Sequence, residues 1–264
     1  MKKIGIIGLG FIGSTISNAI VDGQIEDAVI QSVYDIDKEL MEKITKKDPT
    51  IRPMEHITDF HDCDIIVECA VQSVVDEIFD SIVKSEKYFI PMSVGAFITI
   101  DDLYSKFQAL EKTQKKRIIL PSGAIGGFDC IETIKIERMI SAKLKTRKPN
   151  RVFEQSNYLI ENNIELNESN PVTIFEGNAK QAASYFPRSV NVAARLALST
   201  LGPEGTFVEI IADPTISQNI HSIEIESAVG NYSFKFENNP SPTNPKTSWL
   251  AALSAINSIN KIKK

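Results

Sequence analysis

A glycine-rich turn that directly follows an apolar strand constrains this chain more than any other feature. Gly8, Gly10 and Gly13 form a G-x-G-x-x-G after the apolar run at 4–7, and apolar residues at helical spacing follow them. In a dinucleotide-binding βαβ unit, Gly8 permits the tight turn, Gly10 lets backbone N–H groups reach a pyrophosphate, and Gly13 lets the helix pack closely on the strand. The helix N-terminus favours the bound phosphates. We therefore predict that Gly8, Gly10, Phe11, Ile12 and Gly13 bind a dinucleotide cofactor.

An acidic residue stands where such a unit needs one. The apolar run at 28–34 ends on Asp35, 22 residues after Gly13, close to the usual offset of about 20. A carboxylate here accepts hydrogen bonds from the ribose hydroxyls and repels a 2′-phosphate, so Asp35 favours NAD, while the nearby Asp37 and Lys38 leave NADP open. The alternative is an ordinary βα turn with a surface aspartate.

Length and composition narrow the classes of protein that the chain can form. Its 264 residues suit two domains, and no apolar run is long enough to cross a bilayer or to form a signal peptide. We therefore expect a cytoplasmic protein with no membrane partner. The net charge of −5 gives no reason to expect a nucleic-acid partner. The three cysteines (Cys63, Cys69 and Cys130) show no metal-ligand spacing, which predicts reduced thiols and no metal site. His56 and His61 are predicted to be exposed.

Two patterns of alternation predict the fold. Up to residue 120, short apolar runs alternate with polar helical segments, which is typical of a parallel α/β sheet; its strands are predicted at 64–70, 88–93 and 117–121, with a helix at 74–85. Ligands bind at the carboxyl ends of such strands, so segments 8–13, 70–73, 93–96 and 122–127 are expected to line one crevice.

After Asp129 the pattern changes to strands with one covered face. These are predicted at 131–140, 142–146, 208–213, 221–228 and 231–237, with helices at 179–186, 191–201 and from Thr247 or Ser248 to Ile259. The predicted fold class is α/β, with a Rossmann dinucleotide-binding domain (1–122, completed by a C-terminal helix in 246–264) and a second α+β domain with a mixed or antiparallel sheet (123–245), which serves the substrate and dimerisation.

Three segments carry side chains or backbone suited to chemistry. Ser122–Gly127 is either an interdomain hinge or, as we favour, a backbone platform that a cofactor and substrate can approach closely. Asn219 and His221 share one face of a strand, and His221 is either a satisfied core histidine or an acid–base group. Lys246, Thr247 and Ser248 form either an anion-binding corner or a helix cap with an exposed lysine.

Five stretches carry a resemblance to a known family over nearly the whole chain. The chain resembles the L-aspartate dehydrogenases of the NAD-biosynthesis type in GLGFIG, PSGAIGGFD, FEGNAKQAASYFPRSVNVAARLAL, ADPTISQNIHSIEI and NPSPTNPKTSWLAALSAI. This resemblance implies a homodimer that oxidises L-aspartate with NAD or NADP to iminoaspartate, which is released for quinolinate synthesis or hydrolysed to oxaloacetate and ammonia. It also implies that Ala124 and Asn191 contact NAD and that His221 is catalytic. Phe128 stands where the family usually has leucine.

The resulting hypothesis gives each predicted residue a role. His221 takes a proton from the substrate ammonium, directly or through water, while Asn219, Lys246, Thr247 and Ser248 hold the two carboxylates. One alternative is a related reductase of the dihydrodipicolinate or homoserine type. Another is a dinucleotide-sensing regulator without catalysis.

Overall fold

The structure, a computed structural model, describes residues 1–187, 190–241 and 248–263. The chain divides into two compact units, residues 1–121 with 251–264, and residues 122–250. The first unit is therefore built from two separate stretches of the chain.

The first unit holds a parallel sheet of five strands. Their order across the sheet is β3-β2-β1-β4-β5, and each neighbouring pair is parallel. The strands are β1 (Lys2–Ile7), β2 (Ala28–Tyr34), β3 (Arg52–Pro53), β4 (Ile65–Glu68) and β5 (Tyr88–Pro91). The order reverses at β1, so the turn after β1 lies at the topological switch point where such sheets bind ligands.

Twelve α-helices and one short 3-10 helix, Asn150–Val152, lie in the described part of the chain. The α-helices are α1 (Phe11–Val21), α2 (Lys38–Lys47), α3 (Gln72–Ser85), α4 (Ala96–Thr99), α5 (Leu103–Ala109), α6 (Lys112–Lys115), α7 (Phe128–Ile134), α8 (Asn157–Glu161), α9 (Ala179–Tyr185), α10 (Asn191–Ser199), α11 (Gly202–Gly205) and α12 (Trp249–Lys261).

The last helix completes the core of the first unit. Ala255, Ile259 and Ile262 join a buried cluster with the apolar residues of β1, β2 and β4. The ammonium of Lys2 also donates to the backbone carbonyl of Ile259, at 3.2 Å. Residues from both ends of the sequence thus share one hydrophobic core, which is the main stabilising feature of such a unit.

The second unit holds a mixed sheet of five strands in the order β10-β9-β6-β8-β7. The β6–β8 pair is parallel and the other three pairs are antiparallel. The strands are β6 (Met139–Lys148), β7 (Val172–Asn178), β8 (Thr206–Ala212), β9 (Asn219–Ser227) and β10 (Gly230–Asn238). Burial alternates along β6 and β9, so one face of this sheet is covered and the other is not. The predicted fold class, a Rossmann-like unit and a second unit with a mixed sheet, is confirmed.

Two of the predicted strands need correction. The strand predicted at 131–140 is wrong, because 128–134 form α7 and β6 begins only at Met139. The strand predicted at 117–121 is reduced to one bridge between Ile118 and Phe89. Strand β7 was not predicted at all. His56 and His61 are exposed, as expected, and Cys63 is a buried free thiol.

Among the residues that the structure describes, no helix has the length and apolar character needed to cross a membrane.

Candidate active site

The turn after β1 has a geometry that only glycine permits at two of its positions. Gly8 has a φ of +90°, and a Cβ there would lie 2.7 Å from the backbone nitrogen of Ala70. A Cβ on Gly13 would lie 1.9 Å from the carbonyl oxygen of Gly8. A Cβ on Gly10, in contrast, would meet nothing within 4 Å. The open space at Gly10 leaves its backbone accessible to a ligand.

The helix that follows provides donors for an anion. Gly10 is the N-cap of α1 and has no side chain to cap it. The first N–H groups of a helix have no partner inside that helix, and here they belong to the turn that includes Phe11, Ile12 and Gly13. This cradle, which side chains leave open at its centre, fits the pyrophosphate of a dinucleotide.

Asp35 ties the end of β2 to the glycine turn. Its Oδ2 accepts a hydrogen bond from the backbone N–H of Leu9 at 2.5 Å, and its Oδ1 accepts one from the N–H of Asp37 at 2.9 Å. A carboxylate has about four lone-pair sites, so each oxygen keeps acceptor capacity for a ribose hydroxyl. The residues present therefore fit the adenosine half of NAD.

Glu68 is a buried carboxyl group at the carboxyl end of β4 that the sequence analysis did not identify. It accepts hydrogen bonds from the backbone N–H of Ala70 at 2.7 Å, and from the hydroxyl and N–H of Ser93 at 2.9 and 3.0 Å. Burial outweighs these donors and raises the pKa of Glu68 to about 7. Glu68 thus joins segments 70–73 and 93–96, two of the four segments predicted to line the ligand crevice.

In the second unit, His221 lies inside the mixed sheet and is paired with a hydroxyl. Its Nδ1 is 3.0 Å from Oγ1 of Thr146, and the residue is only 2% exposed. Burial, together with the ammonium of Lys148, lowers the pKa of His221 to about 3. At neutral pH the imidazole is therefore uncharged and is in the form that accepts a proton.

The residues around His221 form two rows across the covered face of the sheet. Thr146 pairs with His221, and Phe236 pairs with it on the other side. At the strand ends, Asn219 pairs with Asn238. Both asparagines are buried, so polar groups are concentrated at this end of an otherwise apolar face.

The glycine-rich loop 122–127 lies over this end of β10. Asn238 donates from its side-chain amide to the carbonyl oxygen of Ala124 at 2.7 Å. A Cβ on Gly126 would lie 3.3 Å from the ring of Phe236, and one on Gly127 would lie 2.7 Å from the ring of Phe234. The absence of side chains at these glycines therefore lets the backbone of the loop lie close to the sheet that carries His221.

Asn191 begins α10, and an aromatic contact joins this helix to the glycine-rich loop. The guanidinium of Arg195 stacks 3.6 Å from the ring centroid of Phe128, the first residue after the loop. A guanidinium over an aromatic ring is a favourable cation–π contact. The stack therefore holds α7 against α10. Helix α7 follows the loop that contains Ala124, and α10 begins at Asn191, and both of these residues are predicted to contact the cofactor.

The structure describes only Ser248 of the predicted cluster at 246–248. Lys246 and Thr247 lie outside the described residues. Ser248 is buried, and its hydroxyl has no hydrogen-bond partner among the described residues. Its predicted role in binding the substrate stays a prediction, as do the roles of the other site residues.

Comparisons with known proteins define the class of this protein. Residues 8–121 match the family model "Homoserine dehydrogenase, NAD binding domain", and residues 129–262 match the model "Aspartate dehydrogenase, C-terminal". With the glycine turn, Asp35 and the mixed sheet, these matches define a two-unit dehydrogenase that uses NAD(P) as its cofactor.

Relatives over the full length identify the family. The chain is 40% identical over 265 residues to an L-aspartate dehydrogenase of Methanosarcina mazei, and 38% identical over 267 residues to one of Methanococcoides burtonii. Each alignment covers 99% of this chain and 97% of the relative. The chain belongs to the L-aspartate dehydrogenase family, which confirms the resemblance.

Two solved structures are similar to this chain. The aspartate dehydrogenase of Thermotoga maritima is 29% identical, with a TM-score of 0.73 over 98% of this chain and 94% of that one. The myo-inositol dehydrogenase of Lactobacillus casei, solved with NAD(H) and myo-inositol, shares the fold at 14% identity and a TM-score of 0.51, over 98% of this chain and 83% of that one.

Proposed function

We propose that this protein oxidises L-aspartate to iminoaspartate, which is released or is hydrolysed to oxaloacetate and ammonia. Bound NAD(P) would supply the acceptor for the hydride that leaves Cα of the substrate. The observation that carries the proposal is a buried, uncharged histidine in a chain that matches L-aspartate dehydrogenases over its full length. A neutral imidazole is the form that can take a proton from the substrate ammonium.

The chain's own residues take the following roles in this proposal. Gly8, Gly10, Phe11, Ile12, Gly13 and Asp35 bind the adenosine and pyrophosphate portions of the cofactor, and Ala124 and Asn191 contact its nicotinamide end. His221 accepts a proton from the substrate ammonium before hydride loss, directly or through water. In the hydrolytic direction, it activates the water that attacks the imine carbon. Asn219 and the segment 246–248 hold carboxylates.

The proposal extends to the biological setting. We assign the first unit to the cofactor and the second to the substrate and to homodimerisation, in a cytoplasmic enzyme that supplies iminoaspartate for NAD biosynthesis. Support for the dimer comes from large apolar side chains that the second unit leaves exposed, such as Leu201 and Phe207. Asp35 supports a preference for NAD over NADP.

The direct test is reductive amination. Oxaloacetate, ammonia and NADH should give substrate-dependent loss of NADH absorbance, with NADPH as the second cofactor. The substrates of homoserine dehydrogenase and dihydrodipicolinate reductase serve as comparisons. Turnover of one of those alone would replace the proposed substrate, and NADH binding without any turnover would favour the regulator.

The role of His221 has its own prediction. His221→Ala should lower kcat about 10²- to 10⁴-fold, the usual contribution of a general acid–base group, and should leave the Kd for NADH nearly unchanged. The matched control is His56→Ala, since His56 is exposed in the first unit. Unchanged turnover in a folded His221→Ala protein would remove His221 from the mechanism.

A further inference from the structure

Lys148 is a buried cation that the roles given above do not use. It is the last residue of β6 and is 9% exposed. Burial lowers the pKa of its ammonium to about 8, so the group is still mostly charged at neutral pH. An ion pair is stronger in the low dielectric of a protein interior than in water, so a buried ammonium at the end of a strand is a candidate for binding a carboxylate.

The register of the sheet places Lys148 beside the proposed catalytic group. Strands β6 and β9 are antiparallel, with Thr146 opposite His221 and Arg147 opposite Ile220. Lys148 and Asn219 are the next positions at the ends of the two strands. Because side chains two apart share a face of a strand, Lys148 lies on the same face as Thr146.

A small cavity relates Lys148 to the start of α10. Its volume is about 10 Å³, and Thr146, Lys148, Val190 and Ala193 are among the residues that line it. Val190 directly precedes Asn191, the proposed nicotinamide contact. Lys148 is therefore close to both His221 and the segment proposed to hold the reactive end of the cofactor.

The charges of Lys148 and His221 influence each other. The ammonium of Lys148 adds to burial in lowering the pKa of the imidazole. A carboxylate bound at the ammonium would offset this effect, because an opposite charge nearby favours the protonated imidazole. A dicarboxylic substrate bound at Lys148 would thus make His221 a stronger base when the substrate is present.

We propose that Lys148 binds one carboxylate of the substrate, with the amide of Asn219 beside it, and thereby selects dicarboxylates over monocarboxylates. This inference rests on the proposed function, because it assigns a subsite of the same active site. It adds a specificity determinant in β6, in a position separate from the segment 246–248.

Inhibition of the holoenzyme by two simple acids tests the inference. Succinate carries two carboxylates, and butyrate carries one on a chain of the same length. The ratio of their inhibition constants therefore measures the contribution of the second carboxylate to binding. Lys148→Met should weaken inhibition by succinate about 10- to 100-fold, as expected for the loss of a hydrogen bond to a charged group. Inhibition by butyrate should change much less.

Two further variants provide controls. Lys145→Met removes a lysine from the opposite face of the same strand, where it pairs with Glu209 at 3.0 Å, and it should leave inhibition by succinate unchanged. Lys148→Arg keeps the charge and should retain part of the preference for succinate. The Kd for NADH should stay unchanged in all three variants.

The outcomes separate this inference from the proposed function. Wild-type protein that fails to aminate oxaloacetate overturns the function, whatever the variants do. Wild-type turnover with aspartate, combined with unchanged KM and succinate inhibition in a folded Lys148→Met protein, overturns the subsite alone.

A crystal structure settles the matter if Lys148→Met does not fold. In the wild-type protein with NADH and succinate, a carboxylate oxygen should lie about 3 Å from Nζ of Lys148, the distance of a charge-assisted hydrogen bond. Succinate bound with both carboxylates away from Nζ would overturn the inference.

Discussion

At the scale of single residues, burial controls the charge of two enclosed titratable groups. Glu68 in the first unit and His221 in the second are both almost fully enclosed. Burial raises the pKa of the acid and lowers that of the base, because both charged forms lose hydration. Both side chains are therefore biased towards their uncharged forms before any ligand binds.

The raised pKa of Glu68 predicts a specific dependence of stability on pH. Its pKa rises from 4.5 in the unfolded chain to about 7 in the folded protein. The contribution of Glu68 is therefore fully present below pH 4.5 and is lost as the pH rises to about 7. The loss is about 3 kcal/mol, and urea unfolding at about pH 5 and pH 8 measures it.

Glu68→Gln should remove most of this difference between the two pH values, since glutamine does not titrate. Glu77→Gln is the matched control, because it is the same substitution at an exposed position of α3. If Glu68→Gln keeps the full pH dependence of the wild type, the effect belongs to other groups.

The sequence predicted the tight glycine turn better than it predicted the buried polar groups. Gly8, Gly13 and Asp35 were identified because their spacing has a direct geometric meaning. Glu68 was missed although it is a charged residue inside an apolar run, which is a signal in itself. Lys148 was missed because the residues that surround it, such as Phe153 and Phe186, come from other segments of the chain, which sequence periodicity does not reveal.

At the scale of elements, a glycine with a positive φ angle marks the start of helix α7 in the second unit. Gly127 has a φ of +75° and is the N-cap of α7. Phe128, Ile131 and Ile134 are the buried residues of that helix. Ile136 and Ile140 beyond it are exposed, so the alternation that suggested a strand at 131–140 did not report burial.

Substitution of two glycines of the loop allows the cost of backbone strain to be measured separately from the cost of a steric clash. Gly123 and Gly127 both have positive φ, but a Cβ on Gly123 would meet nothing within 4 Å, whereas one on Gly127 would lie 2.7 Å from the ring of Phe234. Gly123→Ala should cost about 1–2 kcal/mol for the left-handed backbone alone. Gly127→Ala should cost a further 1–3 kcal/mol, roughly the cost of overpacking.

Urea unfolding of the two alanine variants at one pH gives this comparison, with Gly123→Ala as the control for strain. Equal losses of unfolding free energy would mean that Phe234 moves aside without cost, and that the loop is not held tightly against β10.

At the scale of the whole molecule, the two units differ in how far the sequence predicted them. The parallel sheet was predicted because strands that are buried on both faces appear as short continuous apolar runs. The mixed sheet was predicted in class, but β7 was missed because only Ile174 and Phe175 in its centre are buried. Pairing between distant strands, as between β6 and β8, leaves no local pattern in the sequence.

The proposed homodimer predicts the mass in solution. A chain of 29.3 kDa should give about 59 kDa by light scattering after gel filtration, because a dimer has twice the chain mass. Phe207, which is 38% exposed on β8, is a large apolar group that a second copy would cover. A mass of one chain over a wide concentration range would remove the dimer from the proposal.

The position of α12 has a consequence for how the protein forms during translation. The parallel sheet is complete in sequence by residue 91, but the residues that finish its hydrophobic core come from a helix that ends at Lys261. Domains generally fold as they leave the ribosome, amino-terminal part first. Here the core of the first unit is complete only after the carboxyl-terminal residues have emerged. The unit whose synthesis begins first is therefore the last to complete its folding.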